Sequence, residues 1–136
     1  MEKLYTASVT AIGGRDGHIK SSDGILDFDL RKPKELGGQG GASNPEQLFA
    51  AAWGACYLGA LGSVAAHDGI DVSEAHINVH VSFNKDGNAF VLSADLDVHV
   101  PNISHEEAQQ LAEKAHRACP YSKATRGNIE TRVTAV

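Results

Sequence analysis

The sequence predicts an α+β fold, antiparallel sheets packed around one central buried helix, in a single domain covering residues 1–136. Three stretches predict it. Residues 48–66 carry no charge and follow a helix-start signal, residues 75–100 fold on paper into one hairpin with an apolar face, and residues 104–119 read as a second, amphipathic helix.

Taken in order, residues 4–12 alternate loosely and are predicted as a strand, followed by the turn-rich Gly13-Gly14-Arg15-Asp16-Gly17. Residues 18–22, a Ser-Asp-Gly turn ending at Gly24, and residues 25–30 complete a small antiparallel meander. After Pro33, the loop Gly37-Gly38-Gln39-Gly40-Gly41 leads into the central helix. Such a loop can cradle a phosphate, but this one lacks a Lys-Ser/Thr ending, and Glu46 puts a negative charge where the anion would sit. It is expected to be a mobile connector.

Asn44 and Pro45 start the central helix, because Pro45 pre-sets its own φ and holds Asn44 in a capping conformation. At ~1.5 Å per residue the uncharged run is long enough to cross a bilayer. Yet it is mostly Ala and Gly, contains Ser63 and has no basic flank, so a buried helix and no membrane is the expectation. In the hairpin, Asp86-Gly87 as the two-residue turn sets Phe83 against Phe90, Val81 against Leu92, Val79 against Ala94 and Ile77 against Leu96. The other face then carries His80 by Ser93, Asn78 by Asp95 and His76 by Asp97. His76, His80 and His99 with two aspartates are the residue types of a metal site, but solvated His/Asp pairs are the simpler reading, and no metal is expected. Ser104-x-x-Glu107 is a capping box, and Ala108, Leu111, Ala112 and Ala115 form an apolar stripe. Pro120 should end that helix near Cys119, leaving residues 121–127 as a loop and 128–136 as a closing strand.

The net charge of -5 and the lack of a Lys/Arg cluster argue against a nucleic-acid partner. The first residues, MEKLYTASVT, lack the apolar run of a signal peptide, so a cytoplasmic location is expected. In that reducing compartment a cysteine pair is more often catalytic or redox-active than a structural staple.

Cys56 and Cys119, the two cysteines, lie in different predicted helices, which excludes a CxxC motif. A buried pair of small hydrophobes is one reading of them. If they are active, Cys56 lies too far from its helix N-terminus for the dipole to help, so a thiolate there needs a cation. Cys119 at a helix C-terminus suits a resolving thiol. Arg15, Arg117 and Arg126 are the candidate cations, with Arg15 best placed as a functional loop residue.

The strings Asn44-Pro45-Glu46-Gln47-Leu48-Phe49-Ala50-Ala51 with Ala55-Cys56, Ala118-Cys119-Pro120-Tyr121-Ser122 and Thr125-Arg126-Gly127-Asn128 closely resemble the organic hydroperoxide resistance proteins of the OsmC/Ohr family. Gly14-Arg15-Asp16-Gly17 resembles that group's arginine loop, and the likeness spans essentially the whole chain. The resemblance implies an OsmC-like fold and an intertwined homodimer. It implies Cys56 as peroxidatic cysteine and Cys119 as resolving cysteine, joined in a disulfide during turnover. It assigns Arg15 to the thiolate and the peroxide, and Glu46 to holding Arg15. No bound cofactor is implied. The reductant would be an external dithiol, dihydrolipoamide or a lipoylated protein, and the substrate an organic hydroperoxide. Phe49, Ala52, Trp53 and Ala60 share the Cys56 face by helical spacing, and Phe49 and Trp53 are the expected contacts for an alkyl chain.

Glu46 and Cys56 on one straight helix would lie roughly 15 Å apart along the axis. One arginine spans that only when nearly stretched, so a working site combining Cys56 of one subunit with Glu46 of a partner is expected, with Arg15 supplied by either subunit. The rival readings are an OsmC-type peroxidase of broader substrate use and a non-catalytic redox sensor using the same cysteines.

Overall fold

The computed structural model describes residues 1–136, which fall into two compact units, Met1–Leu48 and Phe49–Val136. In the first, β1 (Val9–Ile12), β2 (His18–Ser21) and β3 (Asp27–Asp29) form an antiparallel sheet in chain order. The strand expected over residues 4–12 is shorter. Its pairing starts at Val9 opposite Ser21, where β2 ends, so the upstream alternation has no strand to pair with. Between β1 and β2 a 3-10 turn, Gly14–Asp16, carries Arg15. A Cβ at Gly17 would fall 1.8 Å from the Ile12 carbonyl oxygen, so the loop closes only on glycine.

The glycine-rich segment, expected as a connector, is folded back on the chain before it. The amides of Gly38 and Gly40 donate to the carbonyls of Pro33 and Lys32, each at 3.0 Å, and a Cβ on Gly38 would lie 2.0 Å from the Lys32 oxygen.

Helix α1 (Pro45–Asp68) starts as expected, with Asn44 Oδ1 accepting from the Gln47 amide at 3.0 Å. It is not wholly buried. Within this chain only Trp53, Gly54, Tyr57, Leu61 and Ala65 are inside, a single stripe at helical spacing, whereas Ala51, Ala55, Gly59 and Ser63 face outward. An uncharged run specifies no particular face, and the neighbouring elements bury one side only.

The second unit stacks this stripe on a sheet of β4 (His76–Asp86), β5 (Ala89–His99) and β6 (Glu130–Ala135), with α2 (His105–Ala118) and α3 (Pro120–Thr125) between β5 and β6 in the chain. The hairpin turn is Gly87-Asn88, not Asp86-Gly87. Gly87 takes φ 59 at the first turn position, as a type II′ turn requires, sparing Asp86 a positive φ. Partners move by two residues, so Phe83 faces Leu92, Val81 faces Ala94, Val79 faces Leu96 and Ile77 faces Val98. A two-residue shift keeps every side chain on its expected face. The polar face re-pairs accordingly: His76 meets His99 with rings 4.8 Å apart, and His80 Nε2 lies 3.1 Å from Asp97 Oδ2.

Strand β6 runs parallel to β5, so this sheet is mixed; the α2–α3 crossover allows what a hairpin could not. Its outer edge is covered by Gln109, whose Oε1 accepts from the Ala135 amide at 2.7 Å while its Nε2 donates to the Val133 carbonyl at 3.1 Å. The Ser104 cap forms, its hydroxyl accepting from the Glu107 amide, and all four stripe residues of α2 are buried. Residues 121–125, expected as part of a loop, belong to α3. Pro120 blocks helical geometry at Cys119 but is well suited to the first position of a new helix.

Candidate active site

Two clusters hold the residues singled out by the sequence, one in each unit. In Met1–Leu48, the Arg15 fork meets the Glu46 carboxylate bidentately, Nη1 to Oε2 at 2.8 Å and Nη2 to Oε1 at 2.6 Å. This pair forms within one chain. The side chains keep 30% and 15% of their exposure, so the contact is only partly screened by water. Its hydrogen bond holds the Glu46 carboxyl below its ordinary value and raises the Arg15 guanidinium, keeping both charged. The loop that presents Arg15 is fixed by Asp16, whose Oδ1 accepts from the Lys32 amide at 3.0 Å.

In Phe49–Val136, Cys56 sits half-buried midway along α1, and Cys119 is fully buried at the junction of α2 and α3; both are free thiols. Cys119 ends α2 in an extended conformation, φ -62 and ψ 124, and is also the residue before α3. That junction brings three things together: the Cys119 thiol and the Tyr121 amide both lie within hydrogen-bonding reach of the Cys56 sulfur. Burial pushes the Cys56 thiol up, the Tyr121 N–H pulls it down, and the approach of Cys119 pushes it up again. Neither Arg117 nor Arg126 is among the groups acting on it. Arg126 Nη2 instead donates to the His116 carbonyl at 2.9 Å, and Arg117 lines a groove with Val64, His67 and Lys114.

Phe49 and Trp53 meet edge to face, with ring centroids 5.7 Å apart. They are not equivalent. Phe49 keeps exposed surface, whereas Trp53 is fully buried and its Nε1 donates to Ser122 Oγ at 3.0 Å, so Trp53 offers an alkyl chain no surface in this conformation. Three residues around the thiols carried no role in the sequence reading. Tyr57 donates to the Ala112 carbonyl at 2.5 Å and ties α1 to α2; Ser122 is fully buried; and His116 Nδ1 lies 2.9 Å from Ser122 Oγ. With residues 121–127 expected as loop, nothing directed Ser122 inward. Knowing that α3 is a helix places it one turn beyond Cys119.

Chemically, the second cluster can pass between dithiol and disulfide, and the first is a guanidinium held in place by a carboxylate. Residues 38–134 match the family described as OsmC-like protein. The chain is 47% identical over 133 residues to the organic hydroperoxide resistance protein of Xanthomonas axonopodis pv. citri, covering 96% of this chain and 94% of that protein. The crystal structure of the organic hydroperoxide resistance protein OhrB of Bacillus subtilis superposes with a TM-score of 0.90 at 45% identity, covering 98% of this chain and all of that one (100%). That of an organic hydroperoxide resistance protein from Elizabethkingia anophelis, with thiocyanate bound, gives 0.92 at 45% identity, over 99% and 98% of the two chains.

Proposed function

The chain belongs to the OsmC/Ohr family, and from that premise we propose that it is an organic hydroperoxide reductase, a cysteine-based peroxidase that converts alkyl and fatty-acid hydroperoxides to alcohols in the cytoplasm. A role in organic hydroperoxide resistance is supported by relatives of that name across nearly the full length. The observation that carries the mechanism is the meeting of two free thiols from distant parts of the chain, Cys56 and Cys119.

In this reading the Cys56 thiolate attacks the terminal peroxide oxygen and the O–O bond breaks. The leaving alkoxide takes up a proton to become the alcohol, and Cys56 becomes a sulfenic acid. The Cys119 sulfur then attacks the Cys56 sulfur; hydroxide leaves, joins the proton given up by Cys119 as water, and the disulfide closes. Two exchange steps with a dithiol, for which we assign dihydrolipoamide or a lipoylated protein, return both thiols. Burial works against the Cys56 thiolate, so the charge must come from Arg15, whose planar fork can contact Glu46 and an anion at once. Phe49 is the residue assigned to the alkyl chain.

A homodimer completes the proposal. In the first unit Ile25, at 86% exposure, and Phe28, at 47%, and in the second the small outward residues of α1, are each surface of the kind that a second copy would cover. Arg15 and Glu46 of one subunit would then serve Cys56 of the other. Mixing Cys56→Ser with Glu46→Ala subunits tests this: mixed dimers should recover activity beyond either parent, and no recovery overturns the shared site. The chemistry is tested by adding one equivalent of alkyl hydroperoxide to reduced protein and mapping the product by mass spectrometry. A Cys56–Cys119 disulfide is expected, replaced by over-oxidised Cys56 in Cys119→Ser; two surviving thiols overturn the mechanism. Steady consumption of peroxide with dihydrolipoamide separates an enzyme from a sensor.

A further inference from the structure

A buried polar chain beside the thiols is not used by the chemistry above. Trp53 Nε1 donates to Ser122 Oγ at 3.0 Å, and Ser122 Oγ lies 2.9 Å from His116 Nδ1. An indole N–H only donates, so Ser122 Oγ accepts from Trp53 and keeps one hydrogen to give and one further lone pair; the His116 tautomer sets which of the two meets Nδ1. Burial first, then Arg126 and Arg117, holds His116 below its ordinary range, favouring the neutral ring.

The placement of the chain is specific. Trp53 stands one helical turn before Cys56 on α1, His116 one turn before Cys119 on α2, and Ser122 one turn after Cys119 on α3. One hydroxyl thus joins the three helices that carry or flank the two sulfurs. Ser122 also follows Tyr121 directly, whose amide reaches the Cys56 sulfur. Trp53 and Ser122 are fully buried, so loss of the hydroxyl leaves an indole N–H and an imidazole nitrogen without their partner.

Building on the two-thiol reading, we propose that Ser122 is a positioning residue for disulfide closure: its hydroxyl, held between Trp53 and His116, seats the start of α3 so that the Cys119 sulfur and the Tyr121 amide stay on Cys56. The consequence is a choice between two fates of the Cys56 sulfenic acid. Attack by Cys119 expels hydroxide, which leaves as water with the Cys119 proton, and forms the disulfide. If closure is slow, a second hydroperoxide transfers one oxygen, departs as alcohol and leaves Cys56 as a sulfinic acid. Ser122 sets which fate wins.

The test is rapid mixing of reduced protein with an alkyl hydroperoxide, quantifying disulfide and sulfinic acid by mass spectrometry and following the emission of Trp53, the one tryptophan of the chain. Ser122→Ala should close the disulfide roughly tenfold more slowly, since about an ångström of misplacement can cost up to ~10²-fold. Sulfinic acid should then appear at correspondingly lower peroxide, and the resting emission should shift as the indole loses its acceptor. His116→Ala, altered at the half-buried end of the chain, should move the same partition in the same direction and carries the test alone if Ser122→Ala does not fold. A normal disulfide in the parent with unchanged closure and sulfinic yield in the variants overturns the role of Ser122 and leaves the peroxidase reading standing. Absence of the disulfide in the parent protein overturns both.

Discussion

The two three-stranded sheets are held together by different physics. In β4–β5–β6 the inward residues Ala94, Leu96 and Val98 are buried against Trp53, Tyr57 and Leu61 of α1 and the alanine-leucine stripe of α2, a core that is complete within its own unit. In β1–β2–β3 only Ile19 is buried among the strand residues, while Ile12 and Phe28 are exposed. That sheet is tied by polar groups: His18 sits between two carboxylates of β3, Nδ1 at 2.7 Å from Asp29 and Nε2 at 2.5 Å from Asp27, and Ser21 Oγ donates to Asp23 at 2.6 Å. The sheet beside the thiols is secured by burial, whereas the one beside the arginine turn buries little and adds to its backbone ladder exposed charge pairs that respond to pH and salt.

The sharpest way to break this contrast is to cut into the core. Leu96→Ala removes a fully buried side chain and should cost about 2–5 kcal/mol in denaturant unfolding. Polar substitutions in β1–β2–β3 should cost much less. A Leu96→Ala loss below ~1 kcal/mol would mean that the core is not what secures the thiol-bearing unit.

Next in size is the arginine. Under the proposed mechanism Arg15→Ala should lower kcat/KM for an alkyl hydroperoxide by roughly 10²-fold, the scale of losing one preorganised donor at a developing charge. Arg15→Lys, which keeps the charge but loses the fork, should recover only part of that. Because Glu46 is held below its ordinary 4.5, its tie to Arg15 is complete above that pH and is lost as pH falls through the lowered value. Glu46→Gln should remove that acid-side loss from the activity profile. An unchanged profile would detach the pair from function.

Ser104→Ala, which deletes the α2 cap in the core-bearing unit, should cost ~1 kcal/mol and leave peroxide reactivity intact. The smallest effect belongs to His18. Its two carboxylate partners raise its pKa above 6.5, so its contribution is fully present below pH 6.5 and is lost as pH rises through the raised value. NMR titration of its imidazole should give a value above 6.5 that falls in Asp27→Asn and in Asp29→Asn. A value that does not move would show that the β2–β3 contact is not carried by charge.

Much of the fold was legible because its signals are local. Asn44-Pro45, Ser104-x-x-Glu107 and the apolar stripe of α2 each fix a helix end or face through contacts within a few residues. The class and the hairpin were legible for the same reason, and the hairpin failed only where the choice between Asp86 and Gly87 for the first turn position rested on a backbone angle. What was hidden depended on partners distant in sequence. Whether α1 buries one face or all of them is decided by what packs on it, the direction of β6 by the crossover before it, and the inward turn of Ser122 by α3. Of the site, the cysteines, Arg15 and Glu46 were singled out by residue type and resemblance. Their geometry, above all the Tyr121 amide on Cys56 and the burial of Trp53, lies outside any local pattern.

One residue, Cys119, is the whole of the joint between α2 and α3. Its own φ is close to helical and the φ of Pro120 is locked by its ring, so the backbone freedom at this joint resides largely in a single torsion, the ψ of Cys119. The thiol branches from Cα on the α2 side of that torsion, so a turn of ψ swings α3, with the Tyr121 amide and Ser122, past a sulfur that stays with α2. Whatever fixes this one angle fixes how amide and sulfur stand to each other.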